Sequence, residues 1–409
     1  MKTEVDRADR AALGQKLARL REAAGYVQQQ FAELVSYSRS TIANVETGRQ
    51  RMPRSFWQRC DSVLGSGTTL LAIYDRVAAA RQRGSAQIVP GPRWPGTQDR
   101  EAGDRSFLTL TQLLASQRQA VAPLALLALV DAHRNTLTTI FNKINQVDPV
   151  RSDIAAIIGE TSIVASRLYS ALGKRAQAIA YCAHARQLAD DFHNPVLGAT
   201  ARIFESNLRS DAATLIGAGG DMAVGLRMLD EAAAFGHLLS PAARARIAAE
   251  QAQILAQLNL RQDCLHALDR ARQAVDHIDA NDQIGLFSDW NSTRIRVYEG
   301  TCWLFLGEPT KSAGLLTEAV RELENDPDNR NVLLAAQVDL SSAHAASGNL
   351  EEGCRTLGDA YTRLLKIGNR RGIERALGAR RRLSRWDGER EVADLDERLR
   401  DALTAAPAT

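Results

Sequence analysis

The chain has 409 residues, of which 45% are hydrophobic and 24% are charged, a composition typical of a globular protein with more than one domain. No apolar run reaches the roughly 18 residues of a membrane span, and the N-terminus lacks the apolar core of a secretion signal, so we expect a cytoplasmic protein. The five dispersed cysteines show no metal-binding spacing, which predicts reduced core thiols and neither a metal nor another cofactor.

Charge is unevenly distributed along the chain. Residues 1–85 contain 14 lysines and arginines against 8 aspartates and glutamates, whereas the remainder is slightly acidic. A small basic region on a mildly acidic body indicates an anionic partner for the basic region. We therefore divide the chain into an N-terminal domain of residues 1–85, a proline- and glycine-rich linker of residues 86–105, and a helical domain of residues 106–405.

The N-terminal domain is predicted to contain five short helices. Apolar residues recur at helical spacing over about residues 9–24, 28–35, 39–48, 54–65 and 68–82, and glycines mark several of the ends. The third helix follows Ser38, a favourable N-cap residue. The second follows Val27, which offers no side-chain acceptor to the first turn, so we expect a weaker start there.

The helical domain contains a recurring unit: a small residue, a turn residue seven positions later, and an alanine twelve positions after that. We expect the small residue and the alanine where two helices cross, and the turn residue in the left-handed conformation. The alternative is an irregular all-helical domain. The unit occurs at Ser166–Gly173–Ala185, Ala213–Gly220–Ala232, Ala252–Asn259–Ala271, Gly300–Gly307–Ala319 and Ser341–Gly348–Ala360.

These spacings resemble those of the tetratricopeptide repeat, with a longer period. Successive turn residues are 47, 39, 48 and 41 positions apart, compared with about 34 in the family. The resemblance implies a solenoid of helix pairs in which the first helix of each pair lines a concave surface.

The segment LGQKLARLREAAGYVQQQFAELVSYSRSTIANVETGRQR, residues 13–51, resembles the XRE-type helix-turn-helix, the DNA-binding family of Cro and the phage repressors. The likeness lies in RLREAAG, a glutamine that opens the next helix, SRSTIANVE-x-G and a basic tail. The two resemblances together imply an all-α protein, with a five-helix XRE-type domain and a TPR-like α-solenoid. This organisation is similar to that of Gram-positive and actinobacterial signalling regulators that bind short peptides.

The XRE resemblance implies that the third helix enters the major groove of double-stranded DNA with its N-terminal residues at the base edges. Arg39 would read guanine and Asn44 adenine, Ser40 would face the same groove, and Ser38 would cap the helix and touch the DNA backbone. The expected phosphate contacts are Gln28, Thr41, Arg49, Arg51 and Arg54. The same resemblance implies a buried ion pair between Arg21 and Glu46.

The TPR resemblance places several polar residues on or near the concave surface. Of these, Arg167, Asn207, Arg246 and Arg294 are the predicted effector-binding residues, because forked guanidinium donors match a peptide C-terminus or an acidic small molecule. The alternative is that these arginines are solvated or paired within the solenoid. The other positions in this register are Glu160, Ser210, Thr214, Gln253 and Thr301.

Residues 370–385 contain seven arginines and one acid. They form either a second phosphate-contacting surface or a solvated basic helix that ends the solenoid, and we favour the second interpretation.

The sequence lacks H-E-x-x-H, G-x-S-x-G and Walker patterns, so we predict that the protein is not an enzyme. We predict a sequence-specific DNA-binding transcriptional regulator, a homodimer whose solenoid senses a peptide or small-molecule effector. The alternative is a DNA-localised scaffold whose solenoid docks a partner protein.

Overall fold

The computed structural model describes the backbone in seven stretches and most of the side chains within them. The stretches are residues 2–50, 52–75, 97–146, 148–211, 220–279, 282 and 284–405, with side chains described from residue 11 and, in the second unit, from residue 105. Every regular element in these stretches is a helix or a short 3-10 turn, which confirms the predicted all-α fold. The chain divides into two compact units, residues 1–94 and 95–409.

The first unit contains the predicted helices. They are α1 (Lys2–Ala23), α2 (Gln28–Val35), α3 (Arg39–Glu46), α4 (Arg54–Leu64) and α5 (residues 69–75). Residues 76–82, predicted to continue α5, lie outside the described residues. One face of each helix contributes to a single core that includes Leu17, Phe31, Ile42, Phe56 and Leu70, all buried.

Two glycines let α1 cross the end of α3 with backbone contact. A Cβ atom on Gly14 would lie 2.2 Å from the carbonyl oxygen of Val45. A Cβ atom on Gly48, whose φ is +71°, would lie 2.7 Å from the Cα atom of Ala11. No side chain fits at either crossing point, so this pair of glycines sets how closely α1 approaches α3.

The second unit is built of helix pairs. Its helix α6 begins at Thr97, so residues 97–105 of the predicted linker are helical, while residues 86–96 lie outside the described residues. The helices are α6 (Thr97–Ser116), α7 (Pro123–Phe141), α8 (Val150–Ala171), α9 (Arg175–Asp191), α10 (Pro195–Ser210), α11 (Met222–Ala233), α12 (Pro241–Gln257), α13 (Arg261–Val275), α14 (Ser292–Phe305), α15 (Pro309–Glu324), α16 (Arg330–Ala346), α17 (Leu350–Lys366), α18 (Arg370–Arg382) and α19 (Arg390–Ala405).

The recurring sequence unit corresponds to the turns between paired helices. Gly173, Asn259, Gly307 and Gly348 have φ values of 74°, 58°, 78° and 94°, as the pattern predicts. The residue after each of them donates its N–H to a carbonyl five positions back, the hydrogen bond that closes a Schellman motif. In the remaining unit the left-handed residue is Asp211, and Ala213 lies outside the described residues.

The small residues and the alanines of the described units are buried where the paired helices cross. A Cβ atom on Gly300, for example, would lie 2.6 Å from the Cγ atom of Leu316 in the partner helix. Ser166, Ala185, Ala252, Ala319 and Ala360 are each at most 1% exposed. The second unit is therefore a helical repeat-like region.

The first helices of the pairs stack in one row, in the order α8, α10, α12, α14 and α16. Helix α18 continues this row beyond α16 and also packs against α8. The end of the repeat thus meets its beginning, and the row surrounds an internal cavity. All five cysteines are buried and free, as predicted. Within the described stretches, no helix combines the length and the apolar character needed to cross a membrane.

Candidate nucleic-acid interface and ligand cavity

Helix α3 presents one polar face and one apolar face. Ile42, Val45 and Glu46 are buried, whereas Arg39 and Asn44 are exposed. This division follows from the 3.6-residue period, which turns positions 42, 45 and 46 inward together. The polar face of α3 therefore exposes a guanidinium in the first turn and an amide in the second, both available to an outside partner.

Ser38 caps α3 as the sequence predicted. Its Oγ atom accepts a hydrogen bond from the N–H of Thr41 at 3.1 Å. The same Oγ atom lies 2.9 Å from the Oγ atom of Ser40 and 2.8 Å from the Oγ1 atom of Thr41. Three hydroxyl groups are thus gathered at the positive end of the α3 dipole, where they can donate to an anion such as phosphate.

The cationic side chains around α3 differ in how they are held. Arg39 and Arg49 are exposed and have no ion-pair partner within the described part of the chain. Arg54 instead donates to Asp75 through its Nε atom at 3.0 Å and its Nη2 atom at 2.8 Å. A phosphate contact by Arg54 would have to replace this exposed pair. Arg51 lies outside the described residues.

A buried ion pair joins α1 to the end of α3, as predicted. The Nε atom of Arg21 donates to Glu46 Oε1 at 2.5 Å, and its Nη2 atom donates to Oε2 at 3.1 Å. The third nitrogen, Nη1, donates to the carbonyl of Tyr26 at 2.8 Å. The Nε2 atom of Gln28 also donates to Glu46 Oε2, at 2.7 Å. One amide hydrogen of Gln28 is thus used within the fold, and the other remains for the predicted phosphate contact.

The start and the end of α2 show two local weaknesses. Val27 occupies the N-cap position without a side-chain acceptor, although its own N–H donates to the Oε1 atom of Gln30 at 3.2 Å. Ser36, which ends the helix, has a φ of 62° in the left-handed region that favours glycine. Both features follow from the residues that the sequence places at these two positions.

The second unit contains a concave cavity of about 230 Å³ along the row of first helices. All four predicted effector-binding residues line it: Arg167 on α8, Asn207 on α10, Arg246 on α12 and Arg294 on α14. Two further positions of the predicted register, Gln253 and Thr301, also line it. Glu160 and Ser210 are not among the lining residues, and Thr214 lies outside the described residues.

At one end of the cavity, three arginines share a single carboxylate. Asp289 Oδ2 lies 3.0 Å from Arg118 Nη2, 3.5 Å from Arg294 Nη1 and 3.8 Å from Arg167 Nη2. Gln119 Nε2 donates to the same oxygen at 2.5 Å. We call Asp289 and these three arginines the Asp289 cluster.

Burial and charge act in opposite directions on the Asp289 cluster. Burial disfavours the charged form of Asp289, but the arginines around it outweigh burial and hold the pKa of the carboxyl group well below its usual range. Burial and the neighbouring arginines also lower the pKa of Arg118 to about 10, and they lower that of Arg167. The carboxylate is strongly stabilised, whereas two of the guanidinium groups are left with too little negative charge nearby.

Arg246 is paired within the unit. Its Nε atom donates to Glu250 Oε1 at 2.9 Å, and its guanidinium lies 3.8 Å from the ring centre of Phe204. Arg167 approaches the same ring at 4.7 Å and donates to the carbonyl of Leu286 at 2.8 Å. The contacts of Arg246 therefore agree with the alternative interpretation, in which the arginines are paired within the solenoid.

Helix α18 closes the other side of the cavity through its arginines. Arg371 donates to Ser170 Oγ at 2.5 Å and to the side-chain oxygen of Asn207. Arg375 forms an ion pair with Asp339, which also accepts a hydrogen bond from Thr301 at 2.6 Å.

The interpretation of residues 370–385 as a solvated basic helix is therefore wrong for four of the seven arginines, whereas Arg370, Arg381 and Arg385 are exposed. Besides Arg371 and Arg375, Arg380 binds Asp396 and Arg382 donates to Ser342. These arginines turn inward because α18 continues the inner row of helices and lies against α8 instead of ending the stack.

Sequence reasoning missed Arg118, Asp289, Arg371 and Arg375 as residues of the cavity. The density of arginine in residues 370–385 was a signal that could have identified the last two. Arg118 and Asp289 lie in the turns after α6 and before α14, outside the helix pairs, so the repeat register carries no information about them. Groups of histidine, cysteine and acidic side chains able to hold a metal are absent from the described part of the chain.

Comparison with known families supports the assignment of the first unit. The family model described as a helix-turn-helix domain matches residues 12–72, which extend from α1 to α5. Residues 12–72 form a helix-turn-helix domain. A search of curated proteins returns no match for the chain. The helix-turn-helix domain and the exposed polar face of its α3 indicate a DNA-binding regulator.

Proposed function

We propose that the protein is a sequence-specific transcriptional regulator whose helix-turn-helix domain is of the XRE type. The observation that carries this proposal is the exposed polar side of α3, which includes Arg39, Ser40 and Asn44, with a capped helix N-terminus beside it. Arg39 reads guanine through the O6 and N7 atoms, and Asn44 reads adenine. Gln28, Ser38, Thr41, Arg49, Arg51 and Arg54 position the domain on the DNA backbone.

The test begins with selection of binding sites from random DNA duplexes by the full-length protein. Affinities of Arg39→Ala and Arg49→Ala are then measured on the selected site and on unrelated DNA at several salt concentrations. Arg39→Ala should lose ~1–3 kcal/mol on the selected site and relax preference at one base pair. Arg49→Ala should weaken binding to all sequences alike and reduce the salt slope by about one phosphate. A uniform loss for Arg39→Ala would remove it from the major groove.

We further propose that the second unit is a TPR-like solenoid that senses an effector in its internal cavity. Support comes from the convergence of Arg167, Asn207, Arg246 and Arg294 on one cavity. A concave cavity of this size lined by guanidinium groups suits a small anionic molecule better than the surface of a protein, which favours sensing over the scaffold alternative.

Arg167 is better suited than Arg246 to a test of sensing, because removal of Arg246 would strand Glu250. A low-molecular-mass cell extract should change the operator affinity of the wild-type protein and of Arg355→Gln, an exposed control on α17. It should not change that of Arg167→Gln. If only a protein fraction changes the affinity of the wild type, the docking scaffold is the correct function.

We also propose that the protein binds DNA as a homodimer through the second unit, since half-sites are normally read by dimers. Support comes from an exposed apolar face on α6 and α7, where Leu113, Leu124 and Leu129 are 54%, 67% and 60% exposed. Sedimentation at micromolar concentration should show a dimer for the wild type and for the control Leu258→Glu, and a monomer for Leu129→Glu. A monomeric wild type would contradict the proposal.

A further inference from the structure

We infer that the Asp289 cluster recognises a compact anion with two negative charges, a phosphate monoester or a dicarboxylate. This inference rests on the proposed sensing function and specifies the ligand class of the same cavity. It is carried by the ratio of charges in the cluster, by donor atoms that lack partners, and by the size of the cavity.

The ratio of charges is the first argument. Arg118, Arg167 and Arg294 surround one carboxylate, so the cluster carries two positive charges in excess among the described side chains. Their side chains are only 14%, 12% and 19% exposed, so bulk solvent cannot screen this excess efficiently. A bound dianion would neutralise the excess, whereas a monoanion would leave half of it and a neutral ligand would leave all of it.

Unused hydrogen-bond donors are the second argument. The Nε atoms of Arg118 and Arg294 are buried and have no acceptor among the described residues. Buried polar groups are almost always paired in native proteins, so these two atoms await an acceptor. Both arginines line the cavity. Oxyanions are the acceptors that the forked guanidinium group binds best.

The size of the cavity is the third argument. Its volume is about 230 Å³. Arg371, one of its lining residues, joins α18 to Ser170 on α8 and to Asn207 on α10. A space of this volume fits a compact dianion better than the body of a peptide.

The inference is tested on the full-length protein at pH 8, where inorganic phosphate and succinate are both largely dianions. Thermal unfolding and titration calorimetry are performed with each probe, with acetate as the monoanion, at ionic strength matched by sodium chloride. We expect saturable binding and a rise in Tm with phosphate, succinate or both, and none with acetate. Tighter binding of phosphate would identify the ligand as a phosphate monoester, and tighter binding of succinate would identify it as a dicarboxylate.

Variants separate binding in the cluster from a general salt effect. Arg167→Gln and Arg294→Gln should each weaken dianion binding at least tenfold, while Arg355→Gln should bind like the wild type. The ligand-free Tm of Arg167→Gln should equal or exceed that of the wild type, because one of three crowded cations is removed. Equal response to acetate and the dianions, or an unchanged response in both cluster variants, would overturn the inference.

The operator assay distinguishes failure of this inference from failure of the sensing function. Dianion binding without any change in operator affinity would leave the inference standing and contradict sensing. A change in operator affinity caused by a larger extract component, without dianion binding, would support sensing and overturn the inference.

Discussion

Both units of the protein contain a buried carboxylate bound by arginine, but the number of guanidinium groups per carboxylate differs. In the helix-turn-helix domain, Glu46 binds one guanidinium, that of Arg21, and the amide of Gln28 completes its hydrogen bonds. In the repeat unit, Asp289 is shared by three arginines, two of which retain an Nε atom without an acceptor. Both sites are buried, so the difference lies in stoichiometry and not in exposure.

The comparison shows how the same two chemical groups, a guanidinium and a carboxylate, can serve a structural or a ligand-binding purpose. A one-to-one pair with its hydrogen bonds satisfied holds three helices in register and leaves no charge for a ligand. A three-to-one cluster carries a charge that the fold itself does not neutralise. Natural proteins keep such electrostatic strain mainly where function requires it.

The largest effect should follow removal of the only carboxylate in the three-to-one cluster. Asp289→Asn leaves three buried guanidinium groups without a counter-charge and should lower the stability of the repeat unit by ~3–5 kcal/mol. Urea unfolding of the full-length protein measures this loss. Asp269→Asn, in an exposed pair with Arg272, is the matched control and should change stability little. A loss below about 1 kcal/mol would mean that the arginines are neutralised by other means.

A smaller effect should follow disruption of the one-to-one pair. Glu46→Gln leaves the buried guanidinium of Arg21 with only the exposed carboxylate of Glu22 as a counter-charge but keeps a side-chain oxygen that can accept from it, so we expect a loss of ~2–4 kcal/mol. Hydrogen exchange of the α1 and α3 amides in the full-length protein localises this loss to the helix-turn-helix domain. Glu33→Gln, at an exposed position of α2, should leave exchange unchanged. Equal protection in both variants would show that the pair does not hold α1 to α3.

The sequence predicts the residues of these two sites that fall within one local sequence pattern, and it does not predict those that the fold brings together from distant positions. Arg21 and Glu46 fall within one contiguous family pattern, so their pairing could be predicted. The turn glycines and the four inner-row residues, among them Arg167 and Arg246, follow from the spacing of the repeat. Asp289 and Arg118 could not be predicted, because they lie in turns that the closure of the row brings together from positions 171 residues apart.

A third case is Glu160, a partly buried carboxylate with no ion pair among the described residues, and it tests the comparison through its dependence on pH. Burial raises the pKa of Glu160 to about 7. The raised pKa means that the fold favours the neutral acid. Ionisation of Glu160 therefore lowers the free energy of unfolding, and this loss is absent below about pH 4.5 and complete above pH 7. Glu160→Gln should therefore stabilise the protein by about 1 to 3 kcal/mol at pH 8 and by nothing at pH 4.5.

Urea unfolding at pH 4.5, 6 and 8 measures the effect of Glu160→Gln. Glu324→Gln, at an exposed position near the end of α15, is the control and should show no such pH dependence. A gain that is constant across the three pH values would assign the stabilisation to packing instead of to the charge of Glu160.

The smallest change in stability should come from the start of α2, where backbone N–H groups of the first turn lack a side-chain acceptor. Ser38 supplies an acceptor to the first turn of α3, whereas Val27 supplies none to α2. Val27 is 59% exposed, so a threonine of nearly the same shape fits there without repacking. Its hydroxyl would accept from the first turn while the N–H of residue 27 keeps its bond to Gln30, which completes a capping box.

We therefore expect Val27→Thr to stabilise the helix-turn-helix domain by ~0.5–2 kcal/mol, with the gain nearer the lower bound because Gln30 already satisfies one donor. Hydrogen exchange of the α2 amides in the full-length protein measures the gain. Val27→Ala is the control, because it removes the branched side chain without adding an acceptor. If alanine protects α2 as well as threonine does, the valine acts through its shape, and the missing acceptor at the start of α2 has no energetic consequence.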